Sequence, residues 1–347
     1  MDKNKLFKIG KPASYIINVA AILLVWLIMQ SLISGGLINS YYQGILLVIG
    51  INIILATSLN LAVGFLGEMA LGHAGFMSVG AYSAALLAKN AAALGFGGLP
   101  KTSLFFISLI FGGLVASIFG ILVGIPALRL HGDYLAIITL GFGEIIRVII
   151  ENMKITGGAR GLNRIPKLAT PNTVYIVTVV TVIILYMIIR SRHGRAIMSV
   201  RDDEIAAESL GIPSTYFKVL AFAISAFFAG VAGGIYAQYI GILGAKVFDY
   251  NKSIEILVTV VLGGMGSFTG SILAAIFLTI LPEALREFAS YRMVLYSAAL
   301  VIIMIFKPTG LLGTYEFSLT RLIEKIVNSV KHNKDNGTQS KKETDRK

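Results

Sequence analysis

One polar stretch interrupts the apolar second half of the sequence: RSRHGRAIMSVRDDEIAAESLGIP, residues 190–213. It carries four arginines and four acidic residues in a chain of which only 14% is charged. Apolar runs flank it on both sides, TVYIVTVVTVIILYMII at 173–189 and VLAFAISAFFAGVAGGIYAQYIGIL at 219–243, and each is long enough to cross a bilayer. The sequence therefore predicts two membrane spans joined by a polar connection, which we call the 190–213 segment.

The second half of the 190–213 segment is typical of a short amphipathic helix. Its apolar positions are Ile205, Ala206, Leu210 and Ile212, and the acidic positions expected to face water are Asp202, Asp203, Glu204 and Glu208. Gly211 and Pro213 predict its end, because glycine often caps the C-terminus of a helix and proline often follows. We expect a soluble partner to bind this helix; the alternative is a solvated connection between two spans.

The composition indicates an integral membrane protein. Of the 347 residues, 56% are hydrophobic and 37 are glycine, whereas soluble domains contain about 45–50% apolar residues. The many long apolar runs predict an all-α, polytopic helical bundle. The absence of cysteine excludes disulfides and cysteine-based metal sites. The net charge is +12, and the basic residues responsible for it lie in loops and termini. They form no nucleic-acid-binding motif, so we expect no nucleic-acid partner.

We expect about ten membrane-spanning helices, the first starting near Tyr15 and the last ending near Phe306. The apolar region at 253–282 has 30 residues. As one helix it would measure about 45 Å, whereas the hydrocarbon core of a bilayer is about 30 Å thick. Its middle, LGGMGSFTGS at 262–271, is rich in glycine. We therefore predict a pair of short spans near the C-terminus that meet at a glycine-broken turn.

The basic residues predict the orientation of the chain. The side that holds both termini and the 190–213 segment carries more lysine and arginine than the opposite side. The positive-inside rule therefore places that side in the cytoplasm. This predicts a cytoplasmic N-terminal tail at 1–14, a transmembrane domain at 15–313 and a charged cytoplasmic C-terminal tail at 314–347.

Small residues recur at every fourth position in the run that follows the 190–213 segment. They are Ser225, Ala229, Gly233, Ala237 and Gly241, which we call the small-residue seam. Such a row lets helices approach closely in lipid, where packing drives their association. We interpret the seam as a contact within the bundle, with an interface between subunits as the alternative.

Few residues belong to a recognisable catalytic, phosphate-binding or metal-binding motif. No phosphate-binding Gly-x-x-x-x-Gly-Lys-Ser/Thr motif and no metal-ligand spacing is present, so we expect no ATP hydrolysis by that route and no metal site. Polar groups within the apolar part are candidates for a translocation pathway. These candidates are Asn60, Glu68, His73, Glu144 and Glu255. Arg147 follows Glu144 by three residues, and we expect these two charges to neutralise each other.

Four blocks of the sequence resemble one family of transport proteins. They are SLNLAVGFLGEMALGHAGFMSVGAY at 58–82, GDYLAIITLGFGEIIRVIIENMKITGGARGLNRIP at 132–166, HGRAIMSVRDDEIAAESLGI at 193–212 and FKPTGLLG at 306–313. In this order, over most of the chain, they are similar to the LivM-like permease subunit of ABC importers for branched-chain amino acids.

The resemblance implies that the 190–213 segment is a cytoplasmic coupling helix that docks on an ATPase subunit. The expected coupling residues are Arg195, Arg201, Asp203, Glu204, Ala207, Glu208 and Gly211. It also implies a multi-pass protein in the lipid of the cell (plasma or inner) membrane. Its expected partners are a related second permease, two ATP-binding subunits and an extracytoplasmic substrate-binding protein. ATP and magnesium would bind to the ATPase subunits, so no cofactor and no enzymatic activity are expected in this chain.

Three alternatives stay open. Members of this family also carry urea or short amides, so branched-chain amino acids are the expected substrates rather than the only ones. A secondary transporter or channel would need no ATPase, and it would show a chain of intramembrane charges rather than one docking segment. A membrane-embedded enzyme would need convergent catalytic groups at one depth, which the sequence does not supply.

Overall fold

The computed structural model describes residues 11–36, 38–91, 93, 95, 98–130, 132–288, 291–307, 309–313 and 315–316. The chain divides into two units, one that contains the first helix and one formed by Asn39–Glu316. The sites considered below all lie in the second unit. The predicted tails at 1–14 and 314–347 lie outside the described residues, apart from 11–14, which begin the first helix, and 315–316.

Helices form the regular structure of the described residues. They are α1 (Lys11–Ser34), α2 (Ser40–Asn60), α3 (His73–Lys89), α4 (Lys101–Ala127), α5 (Asp133–Asn152), α6 (Pro171–Arg190), α7 (Arg192–Asp202), α8 (Glu204–Ser209), α9 (Ser214–Ile240), α10 (Tyr250–Gly263), α11 (Phe268–Ala284) and α12 (Arg292–Phe306). Within this part of the chain, β-type pairing is limited to an isolated bridge between Leu162 and Leu243. The predicted all-α class is confirmed.

Among the described residues, five helices are long and apolar enough to cross a membrane. They are α1, α2 with its continuation to Phe65, α4, α6 and α9, whose most apolar windows have mean hydropathies between 2.0 and 2.5. The chain is therefore a multi-pass membrane protein. The apolar helix α11 and the apolar part of α12 are shorter, and the number of ten spans stays a prediction.

The turn between α10 and α11 follows from its glycines. Gly264 and Gly266 have φ angles of +110° and +84°, which residues with a β-carbon rarely adopt. The next residue, Ser267, begins α11 by accepting a hydrogen bond from the backbone N–H of Gly270 at 3.1 Å. The predicted pair of helices that meet at a glycine-broken turn is present, and the crossing of the membrane by both of them stays a prediction.

Helices α3, α4 and α9 pack on one another through glycines. A β-carbon added at Gly80 in α3 would lie 2.1 Å from Cα of Gly230 in α9. One added at Gly230 would lie 2.9 Å from the carbonyl oxygen of Gly112 in α4. Helix α2 also contacts α9, because the hydroxyl of Ser225 donates to the carbonyl oxygen of Ser58 at 2.7 Å. The core therefore depends on close approach of helix backbones, which is typical of helices that pack in lipid.

The connection between α2 and α3 departs from a regular helix. After α2 the backbone forms a π-turn at Leu61–Phe65, and residues 66–72 are not helical. Within them Gly67 has a φ angle of +84°. We call this connection the 61–72 segment. A π-turn is rare and often lies at a functional site, so the structure adds this segment to the candidates.

Candidate functional site

The 190–213 segment consists of two short helices, α7 and α8, that meet at Asp203. Ser191 begins α7 by accepting a hydrogen bond from the backbone N–H of Gly194 at 3.3 Å. Asp203 begins α8 by accepting one from Ala206 at 3.0 Å. After α8, Gly211 has a φ angle of +82°, the left-handed conformation that commonly ends helices. The predicted helix and its end are confirmed, and α7 is a further helix in the first half of the segment, for which no prediction was made.

Buried side chains fix the segment on the membrane-spanning part of the chain. Ile197 and Val200 of α7 and Ala207 of α8 are buried; a spacing of three residues places the first two on one helix face. Ile205 and Leu210 are instead 80% and 83% exposed. Large apolar side chains exposed within a polar rim are typical of binding surfaces. The segment thus has an anchored base and an outer surface on which two large apolar side chains lie among charged ones.

The expected coupling residues differ in how free they are to meet a partner. Five of these residues are exposed, namely Arg195, Arg201, Asp203, Glu208 and Gly211, but some of them have partners within the chain. The side chain of Glu208 accepts a hydrogen bond from the hydroxyl of Ser214, and that of Arg201 donates one to the carbonyl oxygen of Gly64 at 3.1 Å. Ala207 is buried, so its side chain packs within the chain.

Glu204 is only partly exposed to water and is ion-paired, whereas the prediction has it facing water. Its Oε2 lies 2.8 Å from Nζ of Lys218 in α9, and Oε1 of Glu68 lies 2.8 Å from the same nitrogen. Lys218 is only 3% exposed, and an ammonium group so deeply buried needs paired partners. One lysine therefore ties α8 to the 61–72 segment. We call these three residues the Lys218 bridge.

Asn60, a candidate for the translocation pathway, is fully buried. Its Nδ2 donates to the carbonyl oxygen of Ser267 and to the hydroxyl of Ser271, each at 2.9 Å. Its Oδ1 accepts a hydrogen bond from the backbone N–H of Gly266 at 2.9 Å. The amide therefore joins the end of α2 to the turn between α10 and α11, which assigns it a structural contact.

His73 and Glu255 have unrelated partners. Nε2 of the buried His73 lies 3.0 Å from the hydroxyl oxygen of Ser58. Glu255 is about half exposed and pairs with Lys252, one turn earlier in α10, at 3.1 Å. The two candidates therefore have different partners, and neither of these contacts includes Glu68.

Three charged residues of α5 form two ion pairs along the helix. Arg147 lies 2.7 Å from Glu144 and 2.9 Å from Glu151, each distance joining a guanidinium nitrogen to a carboxylate oxygen. The expected pairing of Glu144 with Arg147 is present. The five pathway candidates thus contact separate partners, and these contacts do not bring them into one cluster.

The small-residue seam lies mostly inside the chain. Buried in α9 are Ser225, Ala229, Gly233 and Ala237. A β-carbon added at Gly233 would lie 2.0 Å from the carbonyl oxygen of Met77 in α3, so this part of the seam contacts another helix of the same bundle. Gly241 differs, because it follows the last residue of α9 with a φ angle of +84° and ends the helix.

Lys218 is a functional candidate that was not among the predicted site residues. Its signal in the sequence is a single lysine at the start of an apolar run, because a charge in such a place needs a counter-charge. Glu68, an isolated acid among glycines, carries the same signal. Their pairing could not be predicted, since the two residues lie far apart in the sequence.

Known proteins resemble the chain over most of its length. A family model described as "Branched-chain amino acid transport system / permease component" matches residues 41–306. The chain is 37% identical to the high-affinity branched-chain amino acid transport system permease protein LivM of Salmonella typhimurium and 38% identical to LivM of Escherichia coli K12. Each comparison extends over 297 residues and covers 76% of this chain and 68% of the relative. No solved structure matches.

A second permease protein is also similar to part of the chain. LivH of Escherichia coli K12 is 32% identical over 146 residues, which cover 41% of this chain and 47% of the relative. The residues matched by the family model extend from α2 to the end of α12 and include the 190–213 segment and the Lys218 bridge. The chain belongs to the family of permease components of branched-chain amino acid transport systems.

Proposed function

We propose that this chain is one membrane-spanning subunit of an ABC importer and forms half of a pathway for branched-chain amino acids. Separate ATPase subunits supply the energy by docking on the 190–213 segment. The observation that carries the proposal is the exposed pair Ile205 and Leu210 on a two-helix segment whose base is buried and ion-paired. An apolar pair within a charged rim suits a protein partner better than a solvated connection.

The attachment of the segment supports its role in transmitting movement. At its start, a β-carbon added at Gly194 would lie 2.2 Å from the carbonyl oxygen of Ile189, so α7 turns tightly against α6. At its end, Glu208 of α8 is hydrogen-bonded to Ser214, the first residue of α9. A segment fixed to two helices in this way displaces them when a partner pushes on it.

The similarity to two different permeases supports a heteromeric pathway. LivM and LivH of one Escherichia coli strain both resemble this chain, so a related second permease is the proposed other half. Two ATP-binding subunits on the cytoplasmic side and a substrate-binding protein on the opposite side complete the importer. ATP and magnesium bind to the ATPase subunits, and this chain acts as a transport subunit without catalysis of its own.

Reconstitution tests this function. Proteoliposomes that contain the chain, its partner permease and both ATPase subunits are expected to take up radiolabelled leucine when the binding protein is outside and ATP is inside. Unlabelled isoleucine and valine are expected to compete, whereas urea and acetamide are not. Vesicles prepared without the chain serve as the control. Uptake that persists without the ATPase subunits would contradict the importer and favour a secondary transporter or channel.

Single cysteines test the orientation, because the chain has no cysteine of its own. Ser209, in the 190–213 segment, and Ala159, between α5 and α6, are both exposed. We expect Ser209→Cys to react with a membrane-impermeant maleimide only in inverted vesicles and Ala159→Cys only in intact cells. Labelling of Ser209→Cys from outside intact cells would contradict a cytoplasmic 190–213 segment.

A further inference from the structure

The Lys218 bridge joins three elements at one buried nitrogen. Lys218 lies in the second turn of α9, Glu204 begins α8, and Glu68 lies in the 61–72 segment. Both carboxylates approach Nζ to 2.8 Å. The outer carboxylate, that of Glu204, is about one third exposed, while the lysine is almost completely buried. The 190–213 segment is thereby linked to the 61–72 segment through a charged group that would be left buried and uncompensated if it separated from its partners.

A buried ion pair is weak support for stability, because desolvation offsets most of the attraction between its charges. Apolar side chains of similar volume would fill the same space at no greater cost. Buried ionic groups can instead fix the relative position of the elements that they join, which here are α8 and the 61–72 segment. Two segments of a transporter that move as one unit need such a fixed relative position.

Arg201 makes a second link between the same two segments. Its Nη1 donates to the carbonyl oxygen of Gly64 at 3.1 Å. Its aliphatic stem lies on Gly67, where an added β-carbon would be 2.6 Å from Cγ of Arg201. The 61–72 segment is therefore held at the π-turn by α7 and, a few residues later, at Glu68 by the Lys218 bridge.

The 61–72 segment in turn contacts the turn between α10 and α11. A β-carbon added at Gly64 would lie 2.3 Å from the backbone nitrogen of Gly266. Phe65 stacks on Phe268, the first residue of α11, with ring centroids 4.8 Å apart. Two glycine-broken connections thus touch each other, and one of them is linked to the 190–213 segment by two side chains.

We propose that Lys218 and Arg201 are positioning residues. They make the 61–72 segment move together with the 190–213 segment. When the ATPase subunits displace α7 and α8, the Lys218 bridge and the Arg201 contact carry the displacement to the π-turn and on to the turn between α10 and α11. The two glycine-broken connections move together and change access to the pathway. This inference rests on the proposed function and identifies the residues that couple ATP hydrolysis to transport.

The Glu204→Gln variant tests the Lys218 bridge. It removes the charge that ties α8 to Lys218 and leaves the buried lysine paired with Glu68, so the chain should still fold. We expect the importer to assemble and to hydrolyse ATP, but the leucine imported per ATP should fall by about fivefold or more, the usual range for loss of coupling between two sites. Arg192→Gln is the matched control. Arg192 lies in α7 of the same segment and is exposed, and it takes part in neither link to the 61–72 segment, so its variant should import as much leucine per ATP as the unsubstituted importer.

Rescue distinguishes positioning from a merely structural role. Lys218→Arg keeps a charge that both carboxylates can bind and is expected to retain most of the leucine imported per ATP, whereas Lys218→Met is expected to lose it. A lower melting temperature in Glu204→Gln with an unchanged ratio of leucine to ATP would overturn the inference, and so would a ratio equal to that of the control. Absence of ATP-driven uptake by the unsubstituted importer would instead contradict the proposed function itself.

Discussion

Replacement of Gly233 by leucine is expected to separate α9 from α3 and to prevent assembly of a stable protein. A β-carbon at this position would lie 2.0 Å from the carbonyl oxygen of Met77 and 3.0 Å from the backbone nitrogen of Ala81. Both are backbone atoms of a helix, so no rotation of a side chain can relieve the overlap. Overpacking usually costs about 1–3 kcal/mol, occasionally more, and this case should reach the upper end. Thermal unfolding and size-exclusion chromatography in detergent measure the loss.

Gly141→Leu is the matched control for this change. Gly141 also lies in a helix, α5, but nothing lies within 4 Å of the position that its β-carbon would take. Leucine also forms helices more readily than glycine, by several tenths of a kcal/mol. The control variant should therefore melt at or above the temperature of the unsubstituted chain. If Gly233→Leu melts like Gly141→Leu, the small-residue seam does not pack against α3.

Much of the fold could be predicted from local features of the sequence. Long apolar runs identify helices such as α4 and α6 because a helix in lipid satisfies its own backbone hydrogen bonds. The turn between α10 and α11 could be predicted as well, since its glycines sit where one helix would be too long for a bilayer. These features depend on residues that are close together in the chain, so the sequence alone is sufficient to predict them.

The 61–72 segment shows where local features stop being sufficient. Its glycines predict a departure from regular helix, but they do not predict the contacts that the π-turn makes with distant parts of the chain. Gly64 lies against Gly266, and Arg201 donates to the carbonyl oxygen of Gly64. A pattern of residue types does not indicate which distant segments meet.

The 190–213 segment shows the same limit for the candidate site. The helix α8 and its end at Gly211 follow from composition and turn chemistry. The orientation of its side chains does not, because Glu204 looks like a solvated charge until Lys218 is placed beside it. A charge that is paired in the folded chain and a charge that faces water have the same appearance in a sequence.

Loss of the ATPase subunits is expected when Ile205 and Leu210 are both replaced by aspartate. The two side chains are 80% and 83% exposed, so each change should alter the free energy of unfolding by only about 0.5 kcal/mol or less, as for most surface positions. At a docking interface, residues that anchor the contact typically contribute about 2 kcal/mol or more each. The variant should therefore be produced at a normal level and melt normally, yet fail to retain the ATPase subunits during affinity purification and fail to import leucine.

Ile155→Asp provides the matched control for this prediction. Ile155 is 68% exposed, and it lies between α5 and α6, on the side that the orientation proposal places opposite to the 190–213 segment. The same apolar-to-acidic change there should leave the ATPase subunits bound, because it alters the surface charge without touching the docking pair. If the double aspartate variant also keeps its ATPase subunits and imports leucine normally, the 190–213 segment only connects α6 to α9. The energy for transport would then have to enter the membrane-spanning helices elsewhere.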